Sequence, residues 1–286
     1  MKEVLRIAIQ KSGRLEEGSV NLLKECGLSF ANGRGQLKTP VRNFPAEILF
    51  LRDDDIPQYI EDHVADIGIV GENIVIEKNK KNDIVARLDF AKCKLSIAIP
   101  KADKYKGIQS LEEKNIATSY PNIVKKWLKK NKINAGIHEI SGSVEIAPGI
   151  GLADAICDIV STGSTLLSNG LKEVEVVMQS EAVLVSNPQL SPAKQAILDK
   201  LLFRINAVKK AKNNKYILLN CPNEAIEKIT KVIPGMKSPT ILPLSKAGWS
   251  SLHSVVDEND FWERIDKLKA FGAEGILVIP IEKMIV

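Results

Sequence analysis

The sequence predicts an α/β protein: two lobes with crossing connections around a cleft, then a small βαββαβ domain. Three observations carry this. Short apolar runs alternate with amphipathic stretches through the first two-thirds of the chain, the rhythm of layered strands and helices. The pattern restarts after the apolar run Cys93–Pro100. The last 75 residues then follow the order βαββαβ, the ferredoxin-like split unit.

Each element has a local reason. Leu5–Ile9 reads as a buried strand, followed by the polar loop 10–14. A helix then carries Leu15, Leu22, Leu23 and Cys26 on one side, with Gly27 as its stop. Ala46–Leu51 is a strand, and Arg52-Asp53-Asp54-Asp55-Ile56-Pro57 opens a helix with acidic residues suited to its dipole. Ala65–Val70 and Cys93–Pro100 are strands. Asn115–Ala117 is a short strand, and Pro121 begins a helix whose apolar face is Ile123, Val124, Trp127 and Leu128. Ile156–Val160 is a strand, with Asp154 ending the helix before it. Val174–Met178 and Ala182–Val185 are strands that return towards the first lobe, and Pro192 to Ala211 is a long helix. Lys209–Asn214, rich in Lys and Asn, reads as a linker. Strands follow at Tyr216–Asn220, Thr240–Leu244, Leu252–Val256 and Gly275–Ile279. Between them lie helices at Glu224–Ile233 and from the cap Asp257 to Phe271, the latter closed by Gly272.

Composition bounds the function. The chain has 286 residues, 44% hydrophobic and 26% charged, an ordinary globular balance. No apolar run approaches the roughly 20 residues of a membrane helix. The N-terminus lacks the longer apolar core of an export signal, so the expected location is the cytoplasm. Net charge is +5. The lysine clusters Lys78–Lys81, Lys125–Lys132 and Lys209–Lys215 have no interleaved aromatics, so they read as solvated faces rather than a nucleic-acid surface. A mild basic bias also fits anionic small substrates. Cys26, Cys93, Cys157 and Cys221 form no C-x-x-C pair, and His63, His138 and His253 share no metal spacing.

The most informative stretch is Glu145–Leu166. An apolar strand carries Asp158 and runs into Ser161-Thr162-Gly163-Ser164-Thr165, four hydroxyl residues around one glycine. Backbone N–H and side-chain O–H groups together, with glycine permitting close approach, make a phosphate cradle. The carboxylate just before it can hold the hydroxyls of an attached sugar. A sugar phosphate is the expected ligand.

Taken together, the residues resemble ATP phosphoribosyltransferase, the enzyme of the first step of histidine biosynthesis, in its long form with a regulatory domain. The resemblance rests on Gln10–Leu15, Leu51–Pro57, Gly68–Asn73, Ala117–Pro121, Glu145–Leu166, Ser238–Leu244 and Pro280–Met284. Each fragment is modest alone; their order and spacing are specific.

The resemblance implies a two-lobed catalytic part like the periplasmic binding proteins, plus a ferredoxin-like regulatory domain. The implied domains are 1–94 with 179–211, 95–178, and 212–286. In the implied reaction, adenine N1 of ATP attacks ribose C1 of 5-phosphoribosyl-1-pyrophosphate. Ser161, Thr162, Gly163, Ser164 and Thr165 would anchor the 5-phosphate. Asp158 and Glu145 would hold the ribose and steady its positive charge. Lys11, Gly13, Arg14 and Arg52 would meet ATP and pyrophosphate, with Tyr120 against the adenine. Mg2+ would ride on substrate phosphates rather than in a protein cage. Ser238 and Thr240 would line the site of the inhibitor histidine, and the oligomer would be a dimer exchanging with a hexamer. A salvage transferase acting on a free base would have two adjacent acids before its loop and a single domain. A non-catalytic binding module would not need the cradle, and a degenerate regulatory paralogue would not keep Glu145, Asp158 and the loop intact.

Overall fold

The computed structural model describes residues 3–32, 35–161 and 163–285. They fall into two compact units, 1–198 and 199–286.

The first unit opens with β1 (Leu5–Gln10), α1 (Arg14–Glu25), β2 (Lys38–Pro40) and β3 (Ala46–Leu51). Gly13 starts α1 at φ 94°, Glu16 and Glu17 occupy its first turn, and Gly27 ends it at φ 80°. A 3₁₀ turn at Asp53–Asp55 leads into α2 (Ile56–Glu61), and β4 (Ile67–Gly71), α3 (Glu72–Lys78) and β5 (Asp83–Arg87) follow. These strands form one sheet in the order β2-β3-β1-β4 and then, from the far end of the unit, β11 (Ala182–Ser186) and β5. β1 runs parallel to β3 and β4; β4 is buried almost throughout, whereas β3 buries alternate residues, Ala46, Ile48 and Phe50. Gly68 is obligatory in β4: a Cβ there would sit 2.6 Å from Ile56 Cγ2 and 3.0 Å from Ile60 Cδ1. Gly68→Ala is therefore expected to cost about 1–3 kcal/mol by overpacking. A calorimetric melt should show a drop of several degrees, and an unchanged Tm would remove α2 from that contact.

The chain then leaves for a second sheet. Its elements are β6 (Cys93–Pro100), β7 (Asn115–Thr118), α4 (Pro121–Asn131), β8 (Gly136–Glu139), β9 (Ala155–Val160), α5 (Ser164–Ser168) and β10 (Leu171–Ser180). Their order is β10-β6-β9-β7-β8, with β9, β7 and β8 parallel and β6 and β10 antiparallel to their neighbours. From β10 the chain re-enters the first sheet as β11, between β4 and β5. Two lobes thus share two crossings.

α6 (Pro192–Lys212) follows. The expectation of a linker at Lys209–Asn214 is corrected here: α6 is helical through Lys212, and the next strand begins at Asn214. Lysine is a good helix former, and cations suit a helix C-terminus.

The second unit completes with β12 (Asn214–Pro222), α7 (Ile226–Val232), β13 (Thr240–Pro243), β14 (Trp249–Asp257), α8 (Glu258–Ala270) and β15 (Glu274–Pro280). The sheet order β13-β14-β12-β15 is fully antiparallel, as the βαββαβ reading requires. Its core joins Ile217, Leu219 and Leu252 of the sheet to Ile229, Phe261 and Leu268 of the helices. Asp257 caps α8 by accepting the Asn259 N–H at 2.9 Å, and Gly272 ends it at φ 83°. Among the described residues no helix is long and apolar enough to cross a membrane.

Candidate active site

Strand C-termini and the loops after them build the site in the first unit. In lobe I, β1 and β3 are parallel neighbours, so their following loops meet, and Lys11 N–H donates to the Leu51 carbonyl at 2.8 Å. This brings Lys11, Gly13, Arg14 and Arg52 to one edge, all exposed. Neither Lys11, Arg14 nor Arg52 forms an ion pair among the described residues, so Arg52 does not pair with the acids that follow it.

In lobe II, β7 and β9 are parallel, with Thr118 opposite Cys157. The turn after β7 therefore lies beside the end of β9. Thr118 is buried; its hydroxyl donates to the Cys157 carbonyl at 2.7 Å and accepts the Tyr120 N–H at 2.9 Å. Asp158 is half-buried, and its Oδ1 accepts the Ile159 N–H at 2.7 Å. Burial raises its pKa; the Ile159 N–H lowers it, and Glu145 adds to the rise. The two carboxylates are therefore near enough to interact, Glu145 coming from the 3₁₀ turn Val144–Ile146 that follows Ser143 at φ 50°. Beyond Val160, Gly163 adopts φ 77° as the N-cap of α5, a conformation glycine reaches without strain. Ser161, Ser164 and Thr165 are exposed around it. Thr162 lies outside the described residues.

Tyr120 connects the lobes. Its ring is only 9% exposed and belongs to the core. Its pKa is pushed up by burial first, then by Asp158, Asp54 and Asp53, while a hydrogen bond with Asn73 opposes this. Burial and then Asp54 also raise the pKa of Asp53. The acidic turn of lobe I and the carboxylate of lobe II therefore approach the same hydroxyl. Asn73 in turn exchanges hydrogen bonds with Ser180, whose Oγ accepts the Asn73 N–H at 3.1 Å and donates to Asn73 Oδ1 at 2.9 Å. Sequence reasoning missed Asn73, Thr118 and Ser180; all act through partners distant in the chain.

Asp154 is a second correction. The residues before it are turns rather than a helix, and its carboxylate accepts the Asn115 N–H at 2.9 Å and pairs with Lys114 at 3.1 Å. Those contacts, the Asn115 bond foremost, lower its pKa. It fastens the start of β7, at the end of the strand remote from Asp158.

A cavity of about 790 Å³ beside α4 is lined by Lys78, Ser119, Lys125 and Lys129, among others, but by neither Asp158, Glu145 nor the loop. In the second unit, Ser238 and Thr240 line a separate cavity of about 510 Å³ with Tyr216, Met236 and His253. Tyr216 Oη lies 2.8 Å from His253 Nδ1, and Ser251 Oγ lies 3.1 Å from its Nε2.

Two α/β lobes, each built on its own sheet and joined by two crossings, define a two-lobed protein of the periplasmic-binding-protein-like class. Residues 52–207 match the family HisG, ATP phosphoribosyltransferase, and residues 211–283 match its C-terminal domain. The chain belongs to the ATP phosphoribosyltransferase family, in the long form that carries this C-terminal domain. It is 64% identical over its whole length to the ATP phosphoribosyltransferase of Cytophaga hutchinsonii, covering all of that protein. It is 57% identical to that of Bacteroides thetaiotaomicron, over 99% of this chain and 100% of that one. Among solved structures, the ATP phosphoribosyl transferase (HisG:HisZ) complex from Thermotoga maritima aligns at TM-score 0.60 and 30% identity, over 71% of this chain and 99% of that one. Tv2483 bound to L-arginine aligns at TM-score 0.52 over 74% of this chain and 87% of that one; at 12% identity it shares the fold alone.

Proposed function

We propose that this enzyme condenses ATP with 5-phosphoribosyl-1-pyrophosphate, the first step of histidine biosynthesis, under feedback by histidine. The observation that carries the reading is Asp158, half-buried beside Glu145 and followed at once by the Gly163-centred hydroxyl loop. Adenine N1 supplies the electron pair for the new bond to ribose C1, and the C1–O bond breaks with its pair leaving on pyrophosphate. N1 carries no proton, so positioning and charge suffice without a strong base. Ser161, Thr162, Gly163, Ser164 and Thr165 hold the 5-phosphate, and Asp158 and Glu145 hold the ribose hydroxyls. Positive charge develops on the ribose as pyrophosphate departs. A carboxylate that burial disfavours as an anion gains most from a cation appearing beside it. Lys11, Arg14 and Arg52, with Gly13 permitting close approach, receive the anionic phosphates. Tyr120, in the field of Asp158, Asp54 and Asp53, would lie against the adenine.

Magnesium takes oxygen donors, usually one or two carboxylates plus phosphate oxygens and water. Asp158 with Glu145, and Asp53 with Asp54 across the cleft, offer that chemistry. Bound to pyrophosphate, Mg2+ would offset the charge of the leaving group. The division into lobe I (1–94 and 179–211), lobe II (95–178) and regulatory domain (212–286) follows the same reading. So do a cytoplasmic location and a dimer exchanging with a hexamer. The Ser238–Thr240 cavity is of a size for a small ligand, and its mix of hydroxyls, imidazole and apolar wall suits an amino acid such as histidine.

Purified protein mixed with ATP, 5-phosphoribosyl-1-pyrophosphate and Mg2+ should form the N1-ribosylated product, followed by its ultraviolet absorbance. Histidine should slow it, and Thr240→Tyr, which fills the cavity, should relieve that inhibition. Product with a free purine but none with ATP would overturn the reading; inhibition unchanged in Thr240→Tyr would place the effector elsewhere.

A further inference from the structure

α4 begins without a cap of its own. Its N-cap residue is Tyr120, which makes no side-chain cap hydrogen bond, and Pro121 follows at the first helical position. The first N–H groups of a helix have no partner within it and need one when covered. Here the partner comes from the other lobe. Glu77 on α3 accepts the Asn122 N–H on Oε1 at 3.0 Å and the Ile123 N–H on Oε2 at 2.9 Å. Its carbonyl also accepts from Asn122 Nδ2 at 3.1 Å.

Glu77 is only 6% exposed and has no Lys or Arg in ion-pair range among the described residues. A buried carboxylate is costly unless compensated, and two helix N–H donors at the positive end of α4 provide the compensation. The same short helix reaches out twice more. Asn73 lies near enough to the Tyr120 hydroxyl to oppose the rise in its pKa, and Lys78 approaches Asp54 at 3.6 Å. Thus α3 of lobe I holds the start of α4 at its backbone and places Asn73 near the Tyr120 hydroxyl, while Tyr120 lies in the field of Asp158.

We infer that Glu77 is a positioning residue: by capping α4 across the lobe boundary it sets Tyr120 against the end of β9 and so shapes the side of the cleft that receives the nucleotide. The nucleotide half of this inference rests on the proposed reaction; the cap does not.

The test is Glu77→Gln in the full-length protein. The amide keeps one acceptor and turns a donor towards the other N–H. Hydrogen–deuterium exchange should lose protection at Asn122 and Ile123 while the later turns of α4 keep theirs. KM for ATP should rise about tenfold, the scale of one charge-assisted hydrogen bond, with KM for 5-phosphoribosyl-1-pyrophosphate within about twofold of wild type. Protection retained at both amides would overturn the cap. Protection lost with both KM values unchanged, or both raised alike, would overturn the positioning role. If Glu77→Gln does not fold, Asn122→Ala, which removes only the bond to the Glu77 carbonyl, should raise the ATP KM alone by a smaller factor; an equal rise for both substrates sinks the proposal. Wild-type protein inactive on ATP would defeat the proposed reaction, with the exchange measurement still deciding the cap.

Discussion

Asp158→Asn should lower kcat at least about 100-fold, the scale on which removal of one preorganised charge partner acts, while raising Tm at pH 7 by about 2–4 °C. Both effects have one origin. The site holds a carboxylate where burial, with Glu145 adding to it, makes ionisation unfavourable. Asparagine keeps an oxygen for the Ile159 N–H but carries no charge. The folded pKa lies above the unfolded value of about 3.9. Below that value the carboxyl is protonated in both states, and asparagine brings no electrostatic advantage. As pH rises through the folded pKa, the native protein must hold the buried anion and loses stability relative to the variant. The Tm gain should therefore be absent near pH 3.5 and fully developed by neutrality. Calorimetry at the two pH values checks it: a gain equal at both would refute the burial account. Unchanged kcat would take Asp158 out of the reaction.

Gly163→Ala should raise KM for 5-phosphoribosyl-1-pyrophosphate about 5–30-fold and leave KM for ATP alone. The penalty is conformational, because a Cβ at Gly163 would meet nothing nearer than Val160 Cγ1 at 4.0 Å. What alanine cannot do cheaply is hold φ 77°; the left-handed region costs roughly 1–2 kcal/mol outside glycine. The loop must then either stay strained or rotate its N–H groups away from the phosphate. Initial rates with each substrate varied separately decide this; a rise confined to ATP would assign the loop to the other ligand.

Much of this fold was legible because its central strands are largely buried. β1, β3, β4 and β6 announce themselves as apolar runs. β2, β5 and β8 did not, and each lies at a sheet edge, where one neighbour is missing and polar residues suffice. The ends of α8 were legible for a similar local reason, since Asp257 and Gly272 carry their own signals. Asp158 and the loop around Gly163 are contiguous, so sequence alone could put the carboxylate beside that loop. It could not show that the acidic turn at Asp53–Asp55 approaches Tyr120 from the other lobe. Nor could it reveal the cap on α4, whose signal is negative: a helix start after Tyr-Pro with no Ser, Thr, Asp or Asn to serve it. The residue that does so lies 45 positions earlier.

The place of β11 bears on how the chain is made. It lies between β4 and β5, yet leaves the ribosome only after the whole of lobe II. At about 5–20 residues per second, β5 waits some 5–20 seconds for the partner that joins it to its sheet. Lobe II has no such delay, because its last strand, β10, ends at Ser180, opposite Cys93 where its first strand began. The half encoded in the middle can close around its own core first. The half that begins the chain stays open until residues 182–186 emerge, with β4 and β5 edges exposed to any other strand in reach.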